Sequence, residues 1–398
     1  MAGTWADSVA TWADPVVTWA DFTESSSPSE AEFLAGAAAS AADLLVADYT
    51  RVFRRLDIFE QDNETEYLFD VGMMSGSVTL DISRDERRML DLTIWDEDDE
   101  IEVGPNGLWY DKVLRPYRGV YLENDDVWEV LLGCFAPDRI AVNHFPTKQI
   151  QVTGRDFAKR GINSQFTETT TFIAGTPVED IVSAVATNAG ITNHILPNDG
   201  KVIGAEFTFD PGTSRWQVIR DISTAYNYEL FLNREGWLVM RNFHDPVLTP
   251  TSYRFDTSGS TGLMGYQKSY SDARLYNHVA VYGDGSGAFA EVRNTNSDSP
   301  TSVEEIGERT FRYSSPFIET DSQALEVAQG FLAIHALEEY EINFDSRVIP
   351  SLEVGEVLQF TDPDPAILQP ERFLISSATI PLNLGPMQMN GKRVAIVS

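Results

Sequence analysis

The sequence predicts a mainly β chain with an α+β insertion, and three observations carry that prediction. The stretch Val152–Phe243 contains two helical patterns of the same design, each followed by strand-like residues. Before it, from Asp48 to Gly154, short apolar runs alternate with turns. After it, from Tyr253 onward, the same β character returns with a single helix among the strands.

The chain opens with a short repeat, Thr4-Trp5-Ala6-Asp7, Thr11-Trp12-Ala13-Asp14 and Thr18-Trp19-Ala20-Asp21. A period of seven would align the three tryptophans along a helix, but Pro15 and the β-branched neighbours disfavour one. An extended arm with turns at Ala-Asp fits better, either as a loose tail or as a partner-docking segment whose anchors are Trp5, Trp12 and Trp19. Ser25–Ser29 then reads as a polar linker, and Ala31–Ala47 has the composition of a helix.

Strands are predicted at Thr50–Ile58, Tyr67–Val71, Ser77–Ser83, Met89–Ile94, Arg118–Glu123, Val127–Phe135 and Lys148–Thr153. Val78, Leu80 and Ile82 share one face, so this part should form an antiparallel barrel or sandwich. In the central stretch the helical spacing of Val178, Ile181, Val182, Val185 and Ala186 repeats in Trp216, Ile219, Ile222 and Ala225. Thr176 with Glu179, and Ser214 with Gln217, have capping-box spacing, and Pro177 suits a first turn. Gly190 and Asn227 supply left-handed stops. Strands Tyr228–Leu232 and Trp237–Arg241 follow, joined by a hairpin turn at Asn233–Gly236. Further on come strands within Tyr253–Tyr282 and at Ala288–Arg293, a polar loop at Asn294–Ser302 and a helix at Thr320–Leu337 opened by Thr320 and Gln323. Strands at Glu341–Ile349, Val357–Phe360, Phe373–Ile380 and Lys392–Val397 close the chain.

Composition limits the function classes. At 398 residues the chain is long enough for two or three cores, and its 42% apolar content with eight tryptophans is that of a folded protein. A formal net charge of −32 argues against gripping nucleic acid through its phosphates. Cys134 is the lone cysteine, in an apolar run, so neither a disulfide framework nor a cysteine metal site is expected. No leader-like segment or membrane-length apolar run is visible, which predicts a chain folded in a cytoplasm.

Chemistry is sparse. The acidic run after Met89–Ile94 could hold Ca2+ through Asp96, Asp98 and Glu100, or be a solvated hairpin loop; it lacks the glycine and closing glutamate of a standard calcium loop. The five histidines are scattered without metal or triad spacing, and the glycine-rich Gly283–Gly287 has no Lys-Ser/Thr and no following helix. Nothing here has the pattern of a catalytic site.

Several segments in fixed order carry a resemblance: SRDERRMLDLTIWDEDDE, LRPYRGVYLE, VWEVLLGCFAPDRI, VTGRDFAKRGINSQF with FIAGTPVEDIVSAV, WQVIRDISTAYNYELFLNREGWLVM, IGERTFRYSSPFIET, SQALEVAQGFL and SLEVGEVLQF. Together they resemble the tail hub, or minor tail, proteins of long-tailed bacteriophages infecting actinobacteria, from about Gly72 to the C-terminus. The resemblance implies a hub-type fold in which two tube-like β-barrel domains flank a small α/β module. Its division would be an arm (1–47), a first barrel (48–154), the module (155–250) and a second barrel with one helix (251–398). Gly154, Arg155 and Asp156 would lead into the module, and Leu352, Gly355 and Val357 would mark the turn into a late strand.

The implied role is structural, without catalytic residues: a homotrimer at the virion's tail tip, matching a hexameric tube with six barrels. Its partners would be the tail tube or distal tail protein, the tape measure protein and other tail-tip or receptor-binding proteins, with DNA only in passage. Carboxylates lining the channel would repel that DNA. The competing class is a cell-wall carbohydrate-binding or hydrolase tail protein, which would need tryptophans and carboxylates in one cleft. The sequence shows Trp95, Trp109, Trp128, Trp216 and Trp237 dispersed, mostly within apolar strands or helix faces.

Overall fold

The computed structural model describes residues 51–96, 99–122, 126–144, 147–256, 261–272, 275–297, 299–335, 340–361 and 371–394. The tryptophan arm and the alanine-rich stretch therefore lie outside the described residues.

The first β stretch holds β1 (Val52–Phe59), β2 (Glu66–Leu68), β3 (Met73–Asp81), β4 (Arg88–Trp95), β5 (Val113–Tyr121), β6 (Val127–Leu131), β7 (Ala136–Asn143) and β8 (Gln149–Arg155). Period-two patterning works here as expected: Leu90, Leu92 and Ile94 of β4 are buried, while Asp91 and Trp95 face outward. One sheet runs β2-β1-β5-β6. Leu56 and Ile58 of β1 and Leu114 of β5 share a core with Leu80, Leu92 and Ile150 from the strip β3-β4-β8-β7. Where β5 meets β6 the backbones come so close that a Cβ on Gly119 would sit 1.9 Å from the Trp128 carbonyl oxygen.

The central stretch contains α1 (Ala158–Ile162), β9 (Thr170–Phe172), α2 (Val178–Asn188), β10 (His194–Ile195), β11 (Phe207–Phe209), α3 (Arg215–Ala225), β12 (Tyr228–Leu232) and β13 (Leu238–Asn242). The two anticipated helices bury the anticipated faces. Ser214 caps α3 by accepting the Gln217 amide at 3.4 Å. At α2 the expected capping box does not form. Thr176 donates its hydroxyl to the Ile173 carbonyl at 2.7 Å, and Pro177, extended and bridged to Val202, takes the N-cap position. That bridge holds the chain straight where the box would need it to turn. Gly190 (φ 82°) and Asn227 (φ 58°) adopt the left-handed conformation expected of them. The segments α1 and β9–β11 were not anticipated, because two to five residues are too few to show a period.

The last stretch contains β14 (Thr251–Phe255), β15 (Leu263–Ser269), β16 (His278–Gly283), β17 (Phe289–Arg293), α4 (Val303–Ile306), β18 (Thr310–Ser315), α5 (Asp321–His335), β19 (Glu341–Ser346), β20 (Val357–Phe360), β21 (Glu371–Pro381) and β22 (Met387–Val394). At α5 the Gln323 amide bonds Thr320 Oγ1 at 3.2 Å, but its side chain reaches back to the Glu319 amide at 3.0 Å, one residue beyond the expected partner.

Packing does not follow chain order. Sheet β17-β16-β18 and α5, from the last stretch, share one hydrophobic core with α2, α3, β12 and β13. The remaining strands of the last stretch join the core of the first. Ser377–Pro381 of β21 pair antiparallel with Ser77–Asp81 of β3. Through that seam the strands follow the path β15-β19-β22-β21-β3-β4-β8-β7, with β20 also on β21 and β14 on β20, a ten-stranded sheet in all. None of the sheets closes on itself among the described residues.

Candidate functional site

The two cores meet along a line of paired charges that starts in the β3–β4 hairpin. Asp81 closes this hairpin by accepting the Ser83 amide and hydroxyl at 2.9 and 2.6 Å. Arg87 and Arg88 follow as neighbours, and each goes to a different carboxylate. Arg87 meets Glu229 of β12 at 2.5 Å, and Arg241 of β13 meets the other oxygen of Glu229 at 2.8 Å. The Phe231 ring packs against both guanidinium groups, 4.2 Å from Arg87 and 5.0 Å from Arg241.

Arg88 pairs with Glu353, whose second oxygen takes Arg234 at 2.5 Å. Arg234 lies in the β12–β13 turn, where Asn233 and Trp237 exchange backbone and side-chain bonds of 3.0 and 2.8 Å and Gly236 sits at φ 80°. A Cβ at Gly236 would strike the Phe157 ring at 2.8 Å. Asp156 supports the same corner by accepting the Arg88 and Ala158 amides, each at 3.0 Å. The joint therefore consists of two carboxylates, each shared by two arginines, and each tying the first β stretch to an element far away in sequence.

The electrostatics follow from burial and pairing. Burial opposes the charge on Glu229, but Arg87 and Arg241 outweigh it and hold the carboxyl down at about 2. Glu353 is likewise disfavoured by burial and likewise held below the usual range by Arg88 and Arg234. Glu356 is different: burial, with the charge of Glu353 added, pushes it up to about 7, although it accepts the Glu353 amide at 3.0 Å. Because its folded value is raised, Glu356 contributes stability that is complete below about pH 4.5 and is lost as pH rises through about 7. Glu356→Gln should therefore match the parent protein at pH 4 and melt higher at pH 8, which a Tm series across that range measures. Equal pH dependence in the two proteins would remove Glu356 as the source.

Beside the joint is a cavity of about 340 Å³. Ile82, Phe243, Val327, Phe331, Ile334 and Leu374 give it apolar walls, and Arg87, Arg241, Lys392 and Glu229 add charge.

Several of the residues expected from the sequence lie elsewhere. Trp5, Trp12, Trp19 and Asp98 are outside the described residues. Asp96 is buried, accepts the Glu100 and Ile101 amides at 2.9 and 3.1 Å, and pairs with Lys148 at 2.8 Å. Glu100 itself is exposed. Among the described residues no group of three or more His, Cys, Asp or Glu has the arrangement of a metal site. The histidines remain apart: His278 bonds Thr310 and Glu291, His194 bonds Ile191, and His335 lies against Phe311. Trp216 is core, while Trp95, 48% exposed, ends β4 and Trp237, 41% exposed, lies in the β12–β13 turn. Of the expected structural markers, Asp156 and Gly355 (φ 90°) stand at the joint or beside it. Sequence reasoning had not singled out Arg87, Arg88, Glu229, Arg234 or Glu353. Their one trace was that each falls inside a segment that carried the resemblance.

No protein-family model matches the chain, and no curated protein matches it in sequence. Solved structures of phage tail proteins do share its fold. The tail protein from Neisseria meningitidis MC58 superimposes with a TM-score of 0.61 at 11% identity, over 85% of this chain and 96% of that one. The 43 kDa tail protein of prophage MuSo2 from Shewanella oneidensis gives 0.60 at 12%, over 86% and 98%. Prophage tail protein gp18 from Listeria monocytogenes gives 0.51 at 9%, over 86% and 95%. At such identities the likeness is one of fold, and the fold is that of a phage tail protein.

Proposed function

We propose that this chain is a structural component of a phage tail tip: a trimeric hub that joins the tail tube to tip and host-recognition proteins and lines the channel through which DNA leaves. The observation that carries this reading is the extent of the likeness, since the chain matches nearly the whole length of the Neisseria and Shewanella tail proteins. The charged joint suits the role. It fixes the angle between the β sheet and the α/β core, and a ring of subunits needs that angle to be identical in every copy. The net charge of −32 suits passage of DNA, because carboxylates turned toward a lumen repel phosphates. In this reading the two β stretches act as two tube-like lobes, so that three chains offer six to the tube, and the phage host is an actinobacterium. No catalytic step is assigned to the chain.

Light scattering on the purified protein tests the reading. A trimer at micromolar concentration is expected, unchanged by a chelator because Lys148 already neutralises Asp96. A monomer at every concentration would count against the hub.

A further inference from the structure

We infer that the two ends of the long sheet are partners between copies of this chain: β7 of one copy adds beside β15 of the next, and Arg139 reaches Asp345 across the junction. The junction deepens the hub role proposed above, on which it rests, by giving the ring its closing surface.

The sheet has two open ends. Its main path, β15-β19-β22-β21-β3-β4-β8-β7, ends at β15 and β7, and no described strand lies beyond either. Phe135 and Leu114 exchange backbone bonds of 2.9 Å just before β7, after which β7 has β8 as its one partner strand among the described residues. Such an edge presents a row of backbone donors and acceptors to any strand that approaches, unless prolines, inward charges or a covering element block it. Neither Arg139–Asn143 nor Gly265–Ser269 contains a proline. Lys268, which points inward from β15, is already held by Glu371 at 2.8 Å.

Direction and faces both fit a second copy. Every pairing along the path is antiparallel, and β7 consequently runs opposite to β15. A copy generated by rotation about an axis along the strands keeps its strand directions. Its β15 therefore meets β7 antiparallel, and the alternation continues in a head-to-tail contact of the kind that closes rings. At both ends one face of the sheet is apolar, with Ile140, Val142 and Tyr266 half-buried. The other is polar, with Arg139, Thr153, Gly265 and Gln267 exposed.

Charge selects the pairing. On the polar face at the β7 end, Arg139 makes no ion pair or hydrogen bond among the described residues. At the other end Asp345 of β19 likewise has none, and the register sets it directly beside Gly265. A Cβ on Gly265 would meet nothing within 4 Å, so the polar face is open between Asp345 and the edge. A residue opposite Gly265 on an added strand lies two strand spacings, about 10 Å, from Asp345. Arginine and aspartate side chains together cover that span across the bare glycine.

Light scattering on the full-length protein over a concentration series tests the junction. Arg139→Asp and Asp345→Arg should each weaken self-association at least about tenfold, because each sets like charges against one another. The double variant, with the charges exchanged, should return to within about threefold of the parent. In Ala141→Cys/Gln267→Cys a thiol cross-linker should join chain to chain, while Cys134 stays buried. Circular dichroism checks that each variant folds. Undiminished association in both single variants, no recovery in the double variant, or cross-links confined within one chain would each overturn the junction and leave a trimeric hub standing. A parent protein that is monomeric at every concentration would overturn the hub and the junction together.

Discussion

Replacing Glu353 with alanine is expected to destabilise the folded chain by about 3–5 kcal/mol, the usual cost of removing one partner from a buried ion pair. The cost arises less from the lost attraction than from what remains. Arg88, only 5% exposed, and Arg234 would both keep their charges with no carboxylate between them. Arg88 would still hold the Leu132 carbonyl at 3.0 Å, and Arg234 the Ser351 carbonyl at 2.9 Å, so neither side chain could swing freely into water. The damage should fall on the joint before it reaches the cores. Hydrogen exchange followed along a urea series should show amides of α2 and α3 opening at a different concentration from those of β3 and β4, whereas in the parent protein both are expected to open together. Coincident opening with unchanged stability would mean that the charges do not couple the cores.

Phe360→Ala should cost a similar amount, about 3–5 kcal/mol, by a different route. Phe360 is buried at the centre of an aromatic cluster, with ring centroids 5.1 Å from Tyr266, 5.8 Å from Phe344 and 6.2 Å from Phe373. Truncation leaves a void walled by rigid rings, which collapse into it poorly, and it removes three edge-on contacts at once. Here the β core itself weakens and the joint stays intact, so the urea midpoint should fall with the opening of the two cores still coincident. A loss under about 1 kcal/mol would show that neighbouring rings can refill the space.

The two substitutions mark the boundary between what the sequence made legible and what it did not. Strands such as β4 and helices such as α2 and α3 announce themselves, because burial on one face imposes a period of two or 3.6 on neighbouring residues. The pairing of β3 with β21 leaves no such mark, since both strands look like ordinary members of their own stretches. The same holds for β16 and β17, which read as part of the last β stretch but pack, with the unanticipated β18, into the α/β core: strand periodicity states that a face is buried, not against what. The joint is harder still. Arg87 and Glu229 are 142 residues apart, and Arg88 and Glu353 are 265 apart. In a chain with 61 acidic residues, no local pattern distinguishes Glu229 or Glu353 from carboxylates that only face water. The failed box at Thr176 is a smaller case, in which a distant bridge to Val202 overrode local capping chemistry.

The seam between β3 and β21 also governs when this protein can fold. As the chain leaves the ribosome, β3 emerges some three hundred residues ahead of its partner, so one edge of the growing sheet must wait, unpaired, while those residues are made. The α/β core waits as well, since α5 comes late. Contacts of such long range make for slow, late-committing folding, in which a nascent chain is most exposed to pairing with a second copy of itself. Both the full sheet and the final angle between the two cores are thus acquired only after β21 has been made.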